Sequence, residues 1–293
     1  MMWRLAIALA VAATPVVAQP LPVQLVDGAV WTVTSVHARE ESKGGTTTVW
    51  ELTTKKHLRL SGKGKARRLT STLLSATASP GSPAELAQAY SQFVPAVFEV
   101  DDALTPGAIT NMPEVREAFV KATGLDTRGT EDLADTSARI MVSNDLQLAA
   151  LGQGGDLELG EPVAYDESLP NPFGGPPITS KGVFTLEAYD KALGRAVIAW
   201  RQEIDPASLH ASMLVAIPDL SKRLAPDKVA EAKAVFEQMK LERSTVCRHE
   251  IDIPTGLAIS AQCTTRVVSG FSGATSSVTD RWTITQTLPE TIR

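Results

Sequence analysis

Two periods alternate along the chain. From Val30 to Glu41 and again from Thr46 to Leu60, polar and apolar residues take turns, with Trp50, Leu52, Leu58 and Leu60 sharing one face. Lys43-Gly44-Gly45 and the Gly62–Gly64 segment read as turns, so with Arg67–Thr77 the first third predicts a three-stranded meander. Ser82-Pro83-Ala84-Glu85 has the form of a capping box, and Leu86, Tyr90, Phe93 and Val97 fall on the stripe of the helix it starts, which Pro95 kinks or ends. Asn111-Met112-Pro113-Glu114 opens a short second helix that ends at Gly124. Asp126–Asp135 reads as a polar loop, and Ala138–Leu151 fits neither period. Leu157–Tyr165 predicts a strand, and Val183–Asp190 with Arg195–Ile204 predict a hairpin around Lys191–Gly194. Leu209–Leu220 is interrupted by Pro218, whereas Pro226–Arg243 carries an amphipathic stripe of Val229, Ala232, Phe236 and Met239. The last strand, Ser276–Leu288, returns through a Ser-Gly turn.

Between them lies the most informative stretch. Pro254-Thr255-Gly256 suits a three-residue hairpin loop with Ile253 opposite Leu257. That register sets Cys247 opposite Cys263, with Ile251, Ile259 and Ala261 on the same face and Arg248, Glu250, Asp252, Ser260 and Gln262 on the other. Facing Cα atoms in such a pair lie about 4.5–5.5 Å apart, within reach of a disulfide. One register thus accounts for turn, alternation and cysteine spacing, and it predicts a structural staple.

Strands on short turns with a few segregated helices imply an α+β fold. The expectation is an antiparallel, curved sheet of about 8–10 strands with 3–4 helices packed on one side. Residues 19–293 read as one such domain, with a faint division into halves near residue 150.

The first eighteen residues do not belong to that fold. A positive start ending at Arg4, an apolar run from Leu5 to Ala13, and Val16 and Ala18 ahead of Gln19 have the layout of a secretory signal peptide. Cleavage there removes Arg4 alone among the charged residues and takes the formal net charge from −5 to −6. The acidic balance argues against nucleic acid as a partner. No later apolar run reaches the ~18 residues that a membrane helix needs, so the mature chain should carry no transmembrane segment. An exported protein, more readily periplasmic than extracellular, is also the setting in which a disulfide persists.

Catalytic signatures are scarce. Gly152-Gln153-Gly154-Gly155-Asp156 lacks the third glycine of a dinucleotide loop, and Gly270-Phe271-Ser272-Gly273-Ala274 lacks the second glycine of a nucleophile elbow. His37, His57, His210 and His249 show no metal-ligand spacing, and no cofactor is implied. Asp101-Asp102 and Glu131-Asp132 read as solvated charge. His249 falls on the apolar face of the cysteine hairpin, either as a hydrogen-bonded core residue or as a group lining a pocket. Phe173, in a stiff Pro/Gly loop, either closes over a pocket or pins its loop. Lys55, Lys56, Arg59, Lys63, Lys65, Arg67 and Arg68 put seven cations in fourteen residues, a candidate contact for an anionic surface or an edge guarded against aggregation.

These features favour a non-enzymatic binding or carrier module of the cell envelope for an apolar or lipid-like ligand. The alternative is a scaffold that meets another envelope protein. A third reading, an exported hydrolase with a dispersed site, requires a histidine within about 3 Å of both a hydroxyl and a carboxylate.

Overall fold

The structure is a computed structural model that describes residues 18–82, 90, 92–124, 131–169, 171, 176–215, 226–271 and 274–289. The signal-like segment up to residue 17, most of the Ser82 capping box and Phe173 lie outside the described residues. In chain order the elements are β1 (Gln19–Pro20), β2 (Val30–Lys43), β3 (Thr46–Ser61), β4 (Arg68–Ala78), β5 (Ala96–Val100), β6 (Pro106–Ile109), α1 (Met112–Thr123) and α2 (Glu131–Ala150). They continue as β7 (Asp156–Leu157), β8 (Pro162–Leu169), β9 (Ile178–Asp190), β10 (Arg195–Ile204), α3 (Pro206–Leu214), α4 (Pro226–Gln238), β11 (Lys240–Asp252), β12 (Leu257–Phe271) and β13 (Ala274–Gln286).

Eleven strands form one sheet in the order β6-β5-β4-β3-β2-β13-β12-β11-β10-β9-β8. Every neighbouring pair is antiparallel. The sheet is not closed: among the described residues neither β6 nor β8 pairs with a further strand, and each begins with a proline that cannot donate to one. The N-terminal meander β2–β6 and the C-terminal meander β8–β13 meet where β2 pairs with β13, so both halves of the chain share one sheet. β1 and β7 make a separate two-stranded ribbon.

The α+β class and the four described helices agree with the sequence, while eleven strands exceed the expected number. The surplus comes from short strands without a clear period. Val97 lies just past the expected break at Pro95, in strand β5, and Pro106–Ile109 has no counterpart among the expected strands. The strand expected over Leu157–Tyr165 divides into the end of β7 and the start of β8. The last helix stops at Gln238, because Lys240–Arg243 already pair with β12. Asp126–Asp135 is not all loop, since α2 begins at Glu131 and runs through the whole ambiguous stretch to Ala150. Pro206–Leu214, also ambiguous in sequence, is helical, with the Asp205 side chain accepting from the Ser208 amide as an N-cap. Helix α1 ends at Gly124, where φ is 65°, as its sequence implied.

The cysteine hairpin forms in the expected register from Cys247↔Cys263 to Glu250↔Ser260. Beyond it the pairing shifts by one, so that Asp252 faces Leu257 and the loop has four residues, Ile253–Gly256. Ile259 is the extra residue of a β-bulge. Asp252, expected outside, is buried at the end of β11, where it accepts from the Thr255 hydroxyl and amide and pairs with Arg195. Gly256 has φ 69°, and a Cβ there would lie 2.2 Å from the Pro22 carbonyl oxygen, so only glycine fits.

One large apolar cluster joins Trp31, Leu58, Leu60 and Phe98 of the sheet to Val115 and Phe119 of α1 and to Val142, Leu146 and Ala149 of α2. A second, around Leu21, Leu186, Ile198 and Ile251, lies under the β1–β7 ribbon. No helix among the described residues is long and apolar enough to cross a membrane.

Candidate functional site

Strand alternation gives the sheet an inner face, over which α2 packs against β12 and β13. Successive registers align that face into rows across six strands. One row reads Ile198, His249, Ala261, Ile284, Ser35, Thr54; the next reads Trp200, Cys247, Cys263, Trp282, His37, Leu52. A third, Gln202, Thr245, Thr265, Asp280, Arg39, Trp50, is largely polar. The inner face therefore passes from apolar to polar toward the β2–β3 turn.

Where α2 meets the face, the contact is polar. Lys56 Nζ donates to Asp145 Oδ1 at 2.6 Å and to the Val142 carbonyl at 3.2 Å. Ser35 Oγ donates to Asp145 Oδ2 at 2.8 Å. The side chains of Lys56 and Asp145 are only 6% and 3% exposed. His249 is fully buried, and its Nε2 lies 2.8 Å from the Leu148 carbonyl. A carbonyl only accepts, so Nε2 carries the proton; Nδ1 makes no hydrogen bond of normal geometry. Burial lowers the His249 pKa, and the Leu148 and Ile198 carbonyls oppose that shift in part. Gly152 makes room for the ring, since a Cβ there would lie 2.8 Å from His249 Cγ.

Beside the ion pair is a cavity of ≈ 10 Å³, about the room one water needs, lined by Ser35, His37, Tyr90, Met141 and Trp282 among others. Tyr90 donates to the Met141 carbonyl at 3.4 Å, and burial followed by the Asp145 carboxylate raises its pKa. On the cavity's polar side, His37 stacks on Trp282 at 3.9 Å and meets the edge of Trp50 at 5.0 Å. His37 Nε2 lies 2.8 Å from Asp280 Oδ1, which Arg39 Nε approaches to 3.4 Å. A second cluster holds Tyr165, Phe184 and Trp200, tied by a 2.8 Å bond from the Trp200 indole to the Tyr165 hydroxyl. Tyr165 lies directly over Gly182, where a Cβ would sit 2.2 Å from the ring.

The structure disperses the seven cations. Lys55 and Arg59 stand exposed on the outer face, and Lys63 and Lys65 are exposed at the β3–β4 turn. Arg67 donates to the Leu25 carbonyl and lies 3.6 Å from Asp102, while Arg68 pairs with Glu99 at 2.9 Å. Lys56 leaves the set altogether, because its alternation with Leu52, Leu58 and Leu60 turns it inward. That parity was already visible in the strand; the missing signal was its partner, 89 residues away on a helix without a legible period. Asp101 caps its own turn through the Ala103 and Thr105 amides.

The disulfide joins Cys247 and Cys263 with Cα atoms 4.1 Å apart. Its sulfurs and a ring nitrogen of His249 lie within 4.8 Å of one another, but both sulfurs are bonded to each other, which makes this a packing contact. His37 has a carboxylate partner and, among the described residues, no hydroxyl bonded to it, so the geometry sought for a hydrolase is not met there.

No family model matches the chain, and no curated protein is similar to it. Among solved structures, DynF from the dynemicin biosynthesis pathway of Micromonospora chersina aligns at 8% identity and a TM-score of 0.23, over 99% of this chain and 95% of that one. Ail, the attachment invasion locus protein of Yersinia pestis, aligns at 4% identity and 0.14, over 89% and 100%. OpdR of Pseudomonas aeruginosa aligns at 8% identity and 0.19, over 91% and 98%. Likeness at this level carries no argument about fold or function.

Proposed function

We propose that the chain is an exported, periplasmic binding or carrier module for an apolar or lipid-like ligand that competes with α2 for the inner face of the sheet. The carrying observation is that, of the described helices packed on the open sheet, α2 joins its largely apolar inner face through a buried ion pair. A helix held only by apolar packing has no reason to bring Asp145 into the core; one that must leave can be released by exchanging partners. The cavities of ≈ 10 and ≈ 20 Å³ beneath α2 are too small for a lipid, so binding on this face requires the helix to lift, while the open pockets of ≈ 500 Å³ at the β8–β9–β10 edge and ≈ 510 Å³ at the β3–β4 turn lie elsewhere.

Curvature of the sheet belongs to the same reading. Ser35 and His249 lie in one row three strands apart, about 14 Å on a flat sheet. Their acceptors, Asp145 and the Leu148 carbonyl, are three residues apart on one helix, a rise of about 4.5 Å. A sheet curved toward α2 would shorten the span that these side chains have to bridge.

Native mass spectrometry of the protein purified from an exported fraction tests the proposal. An added mass that is lost on denaturation is expected, and its removal should permit reloading by a lipid extract. A bare mass together with no uptake from the extract overturns the reading and leaves the scaffold alternative.

A further inference from the structure

We infer that the ligand is an anionic amphiphile whose head group takes the place of Asp145 on Lys56 and Ser35; this rests on the carrier reading above. The inference comes from hydrogen-bond polarity. Three polar side chains buried on the inner face, Ser35, Lys56 and His249, find their partners on one helix. All three donate: the hydroxyl and the ammonium to a carboxylate, the imidazole Nε2–H to a carbonyl. Every group that receives them, the Asp145 carboxylate and the Val142 and Leu148 carbonyls, belongs to α2.

Lifting the helix therefore removes all the acceptors at once. With an apolar chain in the place of α2, Lys56, which lies opposite Val33 on the inner face, would be a buried cation without a counter-ion. A neutral or cationic ligand would leave it so. A carboxylate or phosphate restores the charge pair and accepts from Ser35, and a further carbonyl in the ligand could accept from His249. The apolar chain would lie on the face that Val142, Leu146 and Ala149 now cover.

The test is calorimetric titration of the delipidated mature chain with four probes of equal chain length: laurate, dodecyl phosphate, dodecanol and dodecyltrimethylammonium. Laurate, dodecyl phosphate or both should bind about tenfold or more tightly than dodecanol, with the ammonium probe weakest. Laurate ahead of the phosphate points to a fatty-acid source, and the reverse order to a phospholipid. The paired variant Lys56→Met with Asp145→Leu removes both charges without orphaning either, so it should fold and lose the preference for the anions. Dodecanol binding wild type as tightly as the anions, or a preference that survives in the paired variant, overturns this inference while leaving the carrier reading intact. Failure of all four probes to bind overturns both.

Discussion

Two buried carboxylates, Asp145 and Asp252, are satisfied in opposite ways. Asp252 sits at the end of β11 and is served mostly by its own loop, through the Thr255 hydroxyl and amide, with Arg195 from the adjacent strand. Asp145 is served from far along the chain, by Ser35 and Lys56, which lie 110 and 89 residues away. The first arrangement closes a turn and moves as one piece with its strands. The second fastens a helix to a sheet and can be undone by moving the helix alone. Local satisfaction makes a staple; distant satisfaction makes a latch.

The sharpest way to break the comparison is to remove one carboxylate at a time. Asp145→Leu strands Lys56 in the core and should cost about 3–5 kcal/mol in denaturant unfolding, with most of the loss recovered when Lys56→Met is added. Recovery is the informative part, because a purely steric effect of leucine would persist in the double variant. Asp252→Asn keeps an acceptor for Thr255 and leaves Arg195, already part-exposed and also 3.4 Å from Glu250, with a second partner. It should cost only about 1–2 kcal/mol. Equal losses at the two sites would erase the distinction between them.

A smaller effect comes from His249. Burial holds its folded-state pKa below the unfolded value of 6.5, so between those two values the unfolded chain binds the extra proton. Stability from this residue is therefore complete above pH ~6.5 and falls as the pH drops below it, by at most about 1.4 kcal/mol per pH unit. His249→Gln retains a donor for the Leu148 carbonyl and should flatten that part of the pH profile of unfolding. An unchanged slope would assign it to other groups.

The same polar residues explain what could be read from the sequence and what could not. The cysteine hairpin was legible because turn, alternation and cysteine spacing are all local; its bulge at Ile259, and the packing of its loop against Pro22 and Arg195, which lie far off in the chain, were not. Helix α1 was legible from Pro113 near its start and Gly124 at its end. Helix α2 was hidden because Ser143 and Asp145 point into the core while Ile140 stands 56% exposed, which breaks the apolar stripe that marks a helix. Lys56 was hidden for the matching reason: its strand placed it inward, but a lysine in a basic stretch reads as solvated unless a carboxylate is known to face it. Lys56 and Asp145, which blur the pattern of their own elements, are also the pair that joins α2 to the sheet.

The seam between β2 and β13 has a consequence for how the molecule comes into being. His37 pairs with Trp282, so the middle of the sheet is the last part of the chain to be completed. A polypeptide delivered from its N-terminus can build β2–β4 early, yet β2 keeps a bare edge until residues near Gln286 arrive. Loop closure over such a span makes the joining step slow, and until then the two half-sheets expose their unpaired strands to other chains. Birth of this protein is thus its most vulnerable moment, and a truncation that removes β13 should yield aggregates rather than two stable halves.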